Sequence, residues 1–170
     1  MKKIVSLALT AAAVLSLTAC GADKTASTSD ASANTAAETM TITSLNGSKE
    51  EISLEVPSDP QRIAILDMAS LDILDALGVG DRVVGTADTS LEYLQSYIGG
   101  DVANLGTIKE ADLEAVMASE PDVIFIGGRL ASSYDALSEI APVVYLSVDT
   151  EVGVVESVRK NATTIASLFG

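Results

Sequence analysis

The sequence predicts an α/β fold: an open, mainly parallel sheet with helices on both faces, preceded by a β-hairpin. The sheet is predicted by short strands that are apolar throughout, such as residues 63–66 and 123–126, with helical patterns between them. The hairpin is predicted by two segments of alternating polarity on either side of Asn46 and Gly47, a pair that is typical of tight turns.

The predicted strands are short, as is usual in an open α/β sheet. The first two alternate in polarity, and Pro57 and Pro60 end the hairpin that they form. The later ones have no polar alternation, which indicates that both of their faces are buried. In chain order the predicted strands are residues 40–43, 51–56, 63–66, 83–84, 123–126 and 143–146.

The predicted helices follow the strands. The first ends at Gly78 and has one apolar face made of Met68, Leu71, Leu74 and Leu77. Thr107 and Glu110 have the spacing of a capping box, which predicts a helix beginning there with Leu113, Val116 and Met117 facing inward. The other predicted helices are residues 91–97, which are short and irregular, 134–140, and a longer helix from residue 154.

The N-terminus has the pattern of an export signal. Lys2 and Lys3 precede an apolar stretch at residues 4–17, which is short for a membrane span, and residues 17–20 (LTAC) resemble the lipobox of bacterial lipoproteins. The resemblance implies cleavage after residue 19 and a lipid on Cys20; the alternative is an ordinary signal peptide with an incidental cysteine. Residues 20–39 are mostly small and polar, and we expect a lipidated flexible linker there.

Composition excludes several classes of function. A net charge of -14 with 4% aromatic residues argues against nucleic acid as a partner. The chain has no histidine, which removes the commonest metal ligand and the usual general base near neutral pH. Its glycine-rich loops match neither a Walker A motif nor a dinucleotide fingerprint. Most enzyme classes are therefore disfavoured.

The cations can be sorted by the edge of the sheet on which they should lie, because ligands of open α/β sheets bind at the carboxyl ends of the strands. Arg62 and Arg82 precede strands, so we expect them at the opposite edge with structural roles. Arg129 follows two glycines after a strand, and Lys109 lies where the helix macrodipole disfavours a cation. This pair predicts an anionic ligand, although two solvated surface cations would share the pattern.

Other side chains are expected at the same edge, each with a structural alternative. Asp67 could cap the helix after it, Met68 could be a packing residue, and Ser132 could be a helix cap. The full set of candidate ligand contacts is Lys109, Arg129, Gly128, Ser132, Tyr134, Asp67, Met68 and Thr86.

Two segments together resemble a known family. Residues 104–114 (NLGTIKEADLE) and 120–129 (EPDVIFIGGR) are similar to the ferric siderophore-binding lipoproteins of bacterial ABC importers, particularly those for catecholate siderophores. Residues 77–85 (LGVGDRVVG) add to the resemblance, which extends from about residue 56 to the end of the chain.

The resemblance implies a fold of two α/β lobes joined by one long helix, with the ligand held between the lobes. Residues 40–153 would then be the N-terminal lobe, and residues 154–170 the start of the interlobe helix. Lys109 and Arg129 match positions that contact the ferric siderophore. Glu114 matches a lobe-surface glutamate that docks on the permease, although an ordinary solvated acid remains the alternative.

The expected function follows from that family. We expect a monomeric, lipid-anchored, extracytoplasmic binding protein, not an enzyme, that delivers an anionic ferric catecholate to an ABC permease and its ATPase. No cofactor is expected, and no metal ligand is expected from the protein, because the siderophore satisfies the iron. The alternatives are a binding protein for haem or a corrinoid, or a non-transport lipoprotein or enzyme on a flavodoxin-like sheet. The second lobe is absent from this sequence, which suggests a fragment and weak ligand binding by this lobe alone.

Overall fold

The computed structural model of the protein describes residues 38–170. The signal-like segment, Cys20 and nearly all of the expected linker lie outside the described residues. The first strand begins at Thr39, one residue before the expected start of the folded part.

The hairpin is present as the sequence predicts. Strand β1 (Thr39–Leu45) pairs antiparallel with β2 (Glu51–Pro57), with Ile42 opposite Leu54. In the turn between them, Oδ1 of Asn46 accepts hydrogen bonds from the backbone amides of Ser48 and Glu50 at 2.9 and 3.0 Å. An asparagine at this position therefore closes the turn with its own side chain.

The central sheet has five parallel strands in the described part of the chain, which confirms the predicted fold class. Its order is β5-β4-β3-β8-β9. A small antiparallel hairpin, β6 with β7, lies between β5 and β8 in the sequence. The bounds are β3 (Ile63–Ile65), β4 (Val83–Thr86), β5 (Ala103–Asn104), β6 (Gly106–Thr107), β7 (Glu110–Ala111), β8 (Val123–Ile126) and β9 (Val143–Tyr145).

Helices cover both faces of the sheet. The α-helices are α1 (Met68–Ala76), α2 (Leu113–Ala118), α3 (Tyr134–Ser138) and α4 (Val154–Ser167), and short 3-10 helices span Gly80–Arg82, Glu92–Tyr97 and Gly128–Ser133. No helix in residues 38–170 is both long and apolar enough to cross a membrane.

Alternate residues of each strand enter two separate cores. Ile63 and Phe125 pack with Leu71 of α1 and Ile165 of α4 on one face of the sheet. Ile124 packs on the other face, in the core that also holds Val116 of α2 and Leu137 of α3. Apolar strands without alternation are thus explained by burial on both sides.

Two expectations about helices are wrong. Thr107 does not open a helix, because residues 106–111 form the β6–β7 hairpin and α2 begins only at Leu113. The cap of α2 is Asp112, whose Oδ1 accepts from the amide of Ala115 at 3.0 Å. The inward set also differs: Val116 is buried, whereas three predicted inward residues are exposed, namely Leu77 (43%), Leu113 (38%) and Met117 (63%).

Candidate ligand-binding site

The carboxyl ends of the central strands bring the candidate residues to one edge of the sheet. Asp67 follows β3, and Gly127, Gly128 and Arg129 follow β8. Because β3 and β8 are neighbouring parallel strands, with Ile65 paired to Phe125, these two loops emerge side by side. This is the edge at which open α/β sheets bind ligands.

Asp67 holds the start of α1 at this edge. Its Oδ2 accepts hydrogen bonds from both the backbone amide and the hydroxyl of Ser70, each at 2.9 Å. The helix-cap alternative for Asp67 is therefore confirmed. Gly127 contacts the other carboxylate oxygen so closely that a Cβ at position 127 would lie 2.5 Å from Oδ1 of Asp67. A glycine is thus required where the two loops meet.

The β6–β7 hairpin brings Lys109 to the same region. Thr107 Oγ1 accepts from the amides of Lys109 and Glu110 at 3.2 and 3.1 Å, so Lys109 lies in the turn of the hairpin. The side chain of Ile108 packs on the core cluster that contains Leu130, one residue after Arg129. Because Lys109 lies in a turn and not in a helix, the expected effect of a helix macrodipole on its charge is wrong.

Lys109 and Arg129 differ from most other cations in having no partner in the described part. Both side chains are exposed, and neither makes an ion pair or hydrogen bond with residues 38–170. By contrast, Arg159 pairs with Glu156, and Lys160 lies 3.2 Å from Glu51. Free guanidinium and ammonium groups at a binding edge can make charge-assisted hydrogen bonds to an anion.

Arg62 and Arg82 have structural roles at the opposite edge, as the sequence predicts. Arg62 donates from Nε to the carbonyl of Glu120 at 2.7 Å and also bonds the carbonyl of Ser119, which caps the C-terminus of α2. Arg82 pairs with Asp59 and lies 5.2 Å from the centre of the Phe169 ring. Both cations are thus occupied by protein groups.

The remaining candidates are placed differently from one another. Met68 packs against both cores, and Thr86 is buried with its hydroxyl 3.4 Å from the carbonyl of Ala87.

Tyr134 is buried, and burial together with Asp135 raises the pKa of its phenol. Ser132 is exposed on the 3-10 helix and is not a cap, because α3 starts after Ser133. Of these, Ser132 alone presents an exposed side chain at the edge.

One buried residue at this edge is not singled out by the sequence. Tyr145 ends β9 and is 1% exposed, and its hydroxyl lies 3.3 Å from where a Cβ at position 128 would be. In the sequence it belongs to an apolar strand, and only the close approach to Gly128 in space indicates a further role.

Glu114 lies in the first turn of α2 and is exposed, as expected for a surface acid. Glu110, the other acid of the expected helix, belongs instead to β7. The exposed side chains of Leu113 and Met117 flank Glu114 on the same short helix. The surface of α2 therefore combines an acid with two apolar groups.

A well-defined cavity lies elsewhere in the described part. It has a volume of about 580 Å³ and lies between the β1–β2 hairpin, the end of β9 and α4. Tyr145 lines it, but none of the candidate contacts predicted from the sequence does so. Within residues 38–170, no group of three or more histidine, cysteine, aspartate or glutamate side chains is placed to hold a metal ion.

Comparison with known proteins identifies siderophore-binding relatives. The chain is 35% identical over 173 residues to the petrobactin-binding protein YclQ of Bacillus subtilis, covering 99% of this chain and 51% of YclQ. It is 32% identical over 153 residues to the probable siderophore-binding lipoprotein YfiY of the same organism, covering 85% of this chain and 44% of YfiY. The chain thus spans about half the length of the curated relatives it matches.

Solved structures share the fold. The crystal structure of YclQ aligns with a TM-score of 0.70 and 36% identity, over 78% of this chain and 45% of that one. The catecholate-siderophore binding protein VctP of Vibrio cholerae aligns with a TM-score of 0.67 and 27% identity, over 76% of this chain and 46% of VctP. Residues 63–170 match the family described as periplasmic binding protein. The chain belongs to the periplasmic binding protein family.

Proposed function

We propose that this chain is the ferric siderophore-binding half of an extracytoplasmic binding protein that supplies an ABC importer. The observation that carries the proposal is the exposed pair Lys109 and Arg129, which lies at the carboxyl edge of the parallel sheet without partners in residues 38–170. An otherwise acidic chain, with a net charge of -14, places two free cations where its fold binds ligands.

The chemistry of the edge suits an anionic chelate. The planar guanidinium of Arg129 can give two parallel hydrogen bonds to oxygens of a catecholate, and the ammonium of Lys109 acts as a point charge. The siderophore coordinates the Fe(III), so the protein recognises the outer surface of the complex and performs no covalent step. Binding and release are then the whole mechanism, and no enzymatic activity is proposed.

The relatives support the same ligand class. YclQ is a petrobactin-binding protein and VctP a catecholate-siderophore binding protein, and both align with most of this chain. They are about twice its length, so the complete ligand site of such proteins involves more polypeptide than residues 38–170 contain. We therefore assign to this chain one wall of the site, containing Lys109 and Arg129.

Delivery requires a membrane location and a contact with the permease. The lipobox-like residues 17–20 support a lipid anchor on Cys20, which would keep the protein close to the importer. Glu114 is exposed on α2 and could pair with an arginine of the permease. The flanking Leu113 and Met117 would add apolar contact at the same place.

Calorimetric titration tests the ligand class. Because the chain is about half the length of YclQ, the titration is run on the full chain alone and on the full chain joined to the part of YclQ outside the matched half. The titration compares five ligands: ferric petrobactin; a separate ferric tris-catecholate; a ferric hydroxamate; haem; and a corrinoid. The proposal predicts that the joined protein prefers the two ferric catecholates. Preference for haem or a corrinoid, or no binding of any ferric siderophore, would contradict it.

A further inference from the structure

Tyr145 is a buried residue whose hydroxyl reaches the carboxyl edge of the sheet. Its ring packs in the core shared with Ile124, Ile126 and Leu130, and the whole residue is 1% exposed. The backbone of Tyr145 is held by Ser44, whose hydroxyl accepts from its amide at 2.9 Å. The phenol is therefore fixed from both the core and the hairpin.

The end of the phenol points at Gly128. A Cβ at position 128 would lie 3.3 Å from Oη of Tyr145, and within residues 38–170 no other atom beyond the glycine's own loop would lie within 4 Å of it. Any side chain at this position would therefore project over the hydroxyl. The glycine leaves that space open directly beside Arg129, the guanidinium assigned to the ligand.

The hydroxyl has no structural use in the described part of the chain. No residue in 38–170 hydrogen-bonds Oη of Tyr145, and the hydroxyl is not among the sealed polar atoms of this part of the chain, so a partner from outside can reach it. Phenylalanine would fill the same core, so packing alone does not require the hydroxyl. An unpartnered polar atom aimed at a binding edge is the pattern expected when the partner is a ligand.

We propose that Oη of Tyr145 donates a hydrogen bond, through the opening left by Gly128, to the same anionic ligand oxygens that Arg129 binds. This inference rests on the proposed function and adds a specificity residue to its site. A neutral donor beside a cation favours ligands that present two adjacent anionic oxygens, as a catecholate does. Burial raises the pKa of Tyr145, so the phenol keeps its proton at neutral pH.

Two substitutions test the hydrogen bond in the full chain joined to the unmatched part of YclQ, with ferric petrobactin as the probe. Tyr145→Phe removes only the hydroxyl and is expected to weaken binding three- to tenfold without lowering the melting temperature. Gly128→Ala is expected to weaken binding to a similar extent. Both substitutions remove the same hydrogen bond, so the affinity of the double variant should be no lower than that of the single variant with the lower affinity. Tyr93→Phe, which changes an exposed tyrosine, is the control.

A spectroscopic readout separates a direct contact from altered packing. A hydrogen bond to a coordinating oxygen lowers its donor strength, so the charge-transfer band of the bound ferric complex should shift between the unsubstituted protein and Tyr145→Phe. The role of Tyr145 would be overturned if Tyr145→Phe changed neither the affinity nor the charge-transfer band. If Arg129→Ala lost binding in the same experiment, the proposed function would be left intact. If the unsubstituted protein binds no ferric siderophore, both proposals are overturned.

Discussion

Gly127 lies against Asp67 so closely that a methyl group at position 127 would come within 2.5 Å of Oδ1 of Asp67. The same carboxylate caps α1 through its other oxygen, which accepts from the amide and hydroxyl of Ser70. The loop that carries Arg129 therefore lies directly against the start of α1. The close packing of these two segments requires a small residue at position 127.

Gly127→Ala should destabilise the protein. The added methyl group must displace either the capped Asp67 carboxylate or the loop after β8, and overpacking of this kind costs about 1–3 kcal/mol. Urea unfolding followed by circular dichroism measures the change in the free energy of unfolding.

A double-mutant cycle with Asp67→Ala identifies the cause. Removing the carboxylate relieves the collision, so Gly127→Ala should cost less in the Asp67→Ala background than in the unsubstituted protein. Equal costs in the two backgrounds would show that the contact with Asp67 is not what requires glycine.

Stability should fall at high pH because of Tyr97. Burial and a hydrogen bond from its hydroxyl to Oδ1 of Asp75, 2.6 Å long, raise the pKa of Tyr97 to about 12. The unfolded chain releases this proton near the ordinary pKa of 10.0 whereas the folded protein keeps it, so the folded state loses stability between pH 10 and 12. The loss attributable to Tyr97 is about 2 kcal/mol.

Urea unfolding at pH 9 and pH 11.5 measures this loss. Tyr97→Phe should be less stable than the unsubstituted protein at pH 9, since it lacks the bond to Asp75, but its stability should fall less over the same interval. Tyr134 and Tyr145 also have raised pKa values and contribute the remaining fall. Identical pH dependence in both proteins would exclude Tyr97 as a source.

Arg62→Ala should destabilise the protein, because two carbonyls at the end of α2 lose their donor. The expected loss is about 1 kcal/mol, the usual net value of such hydrogen bonds. Arg159→Ala is the matched control, since within residues 38–170 the Arg159 side chain pairs only with Glu156 on the exposed surface of α4, and it should leave the urea midpoint unchanged. Equal effects of the two substitutions would contradict the capping role of Arg62.

Glu114→Ala should impair delivery without affecting capture. Under the proposed function, cells that depend on the full chain joined to the unmatched part of YclQ should take up radioactive iron roughly fivefold more slowly, as expected when a charge that guides docking is removed. Affinity for the ferric siderophore should be unchanged, because Glu114 lies on α2 and not among the loops that hold Arg129. Glu139→Ala, which removes an exposed acid at the end of α3, is the control; an equal loss of uptake in both variants would rule out a specific role for Glu114.

The sheet and its binding edge were predictable because their signals are strong and local. Apolar strands at residues 63–66 and 123–126 specify burial on both faces, and the glycines after the second strand mark a loop at its carboxyl end. Parallel pairing then places Asp67 and Arg129 at one edge, whatever the details of the loops.

The β6–β7 hairpin was not predictable from spacing, because Thr107 and Glu110 fit a capping box and a tight turn equally well. Two residues distinguish the hairpin from the helix. Gly106 begins β6 with a φ of 96°, which favours glycine, and Asp112 caps α2 five residues after Thr107. Leu113 and Met117 became outward residues for the same reason, since the short helix α2 buries only Val116.

Tyr145 could not be found from the sequence, because its role depends on a contact across two strands. In an apolar segment a tyrosine is indistinguishable from a core residue. The approach of its hydroxyl to Gly128 requires β8 and β9 to be neighbours, with Ile126 paired to Tyr145.

The affinity of the Arg129→Ala variant for ferric petrobactin tests the central claim most directly. It is measured by calorimetry on the full chain joined to the unmatched part of YclQ, beside Arg159→Ala as a control that removes an exposed arginine of α4 already paired with Glu156. The proposed site predicts at least tenfold weaker binding for Arg129→Ala, a loss of roughly 1.4 kcal/mol, and unchanged binding for Arg159→Ala. Equal affinity of Arg129→Ala and the unsubstituted protein would contradict the assignment of this edge to the ligand.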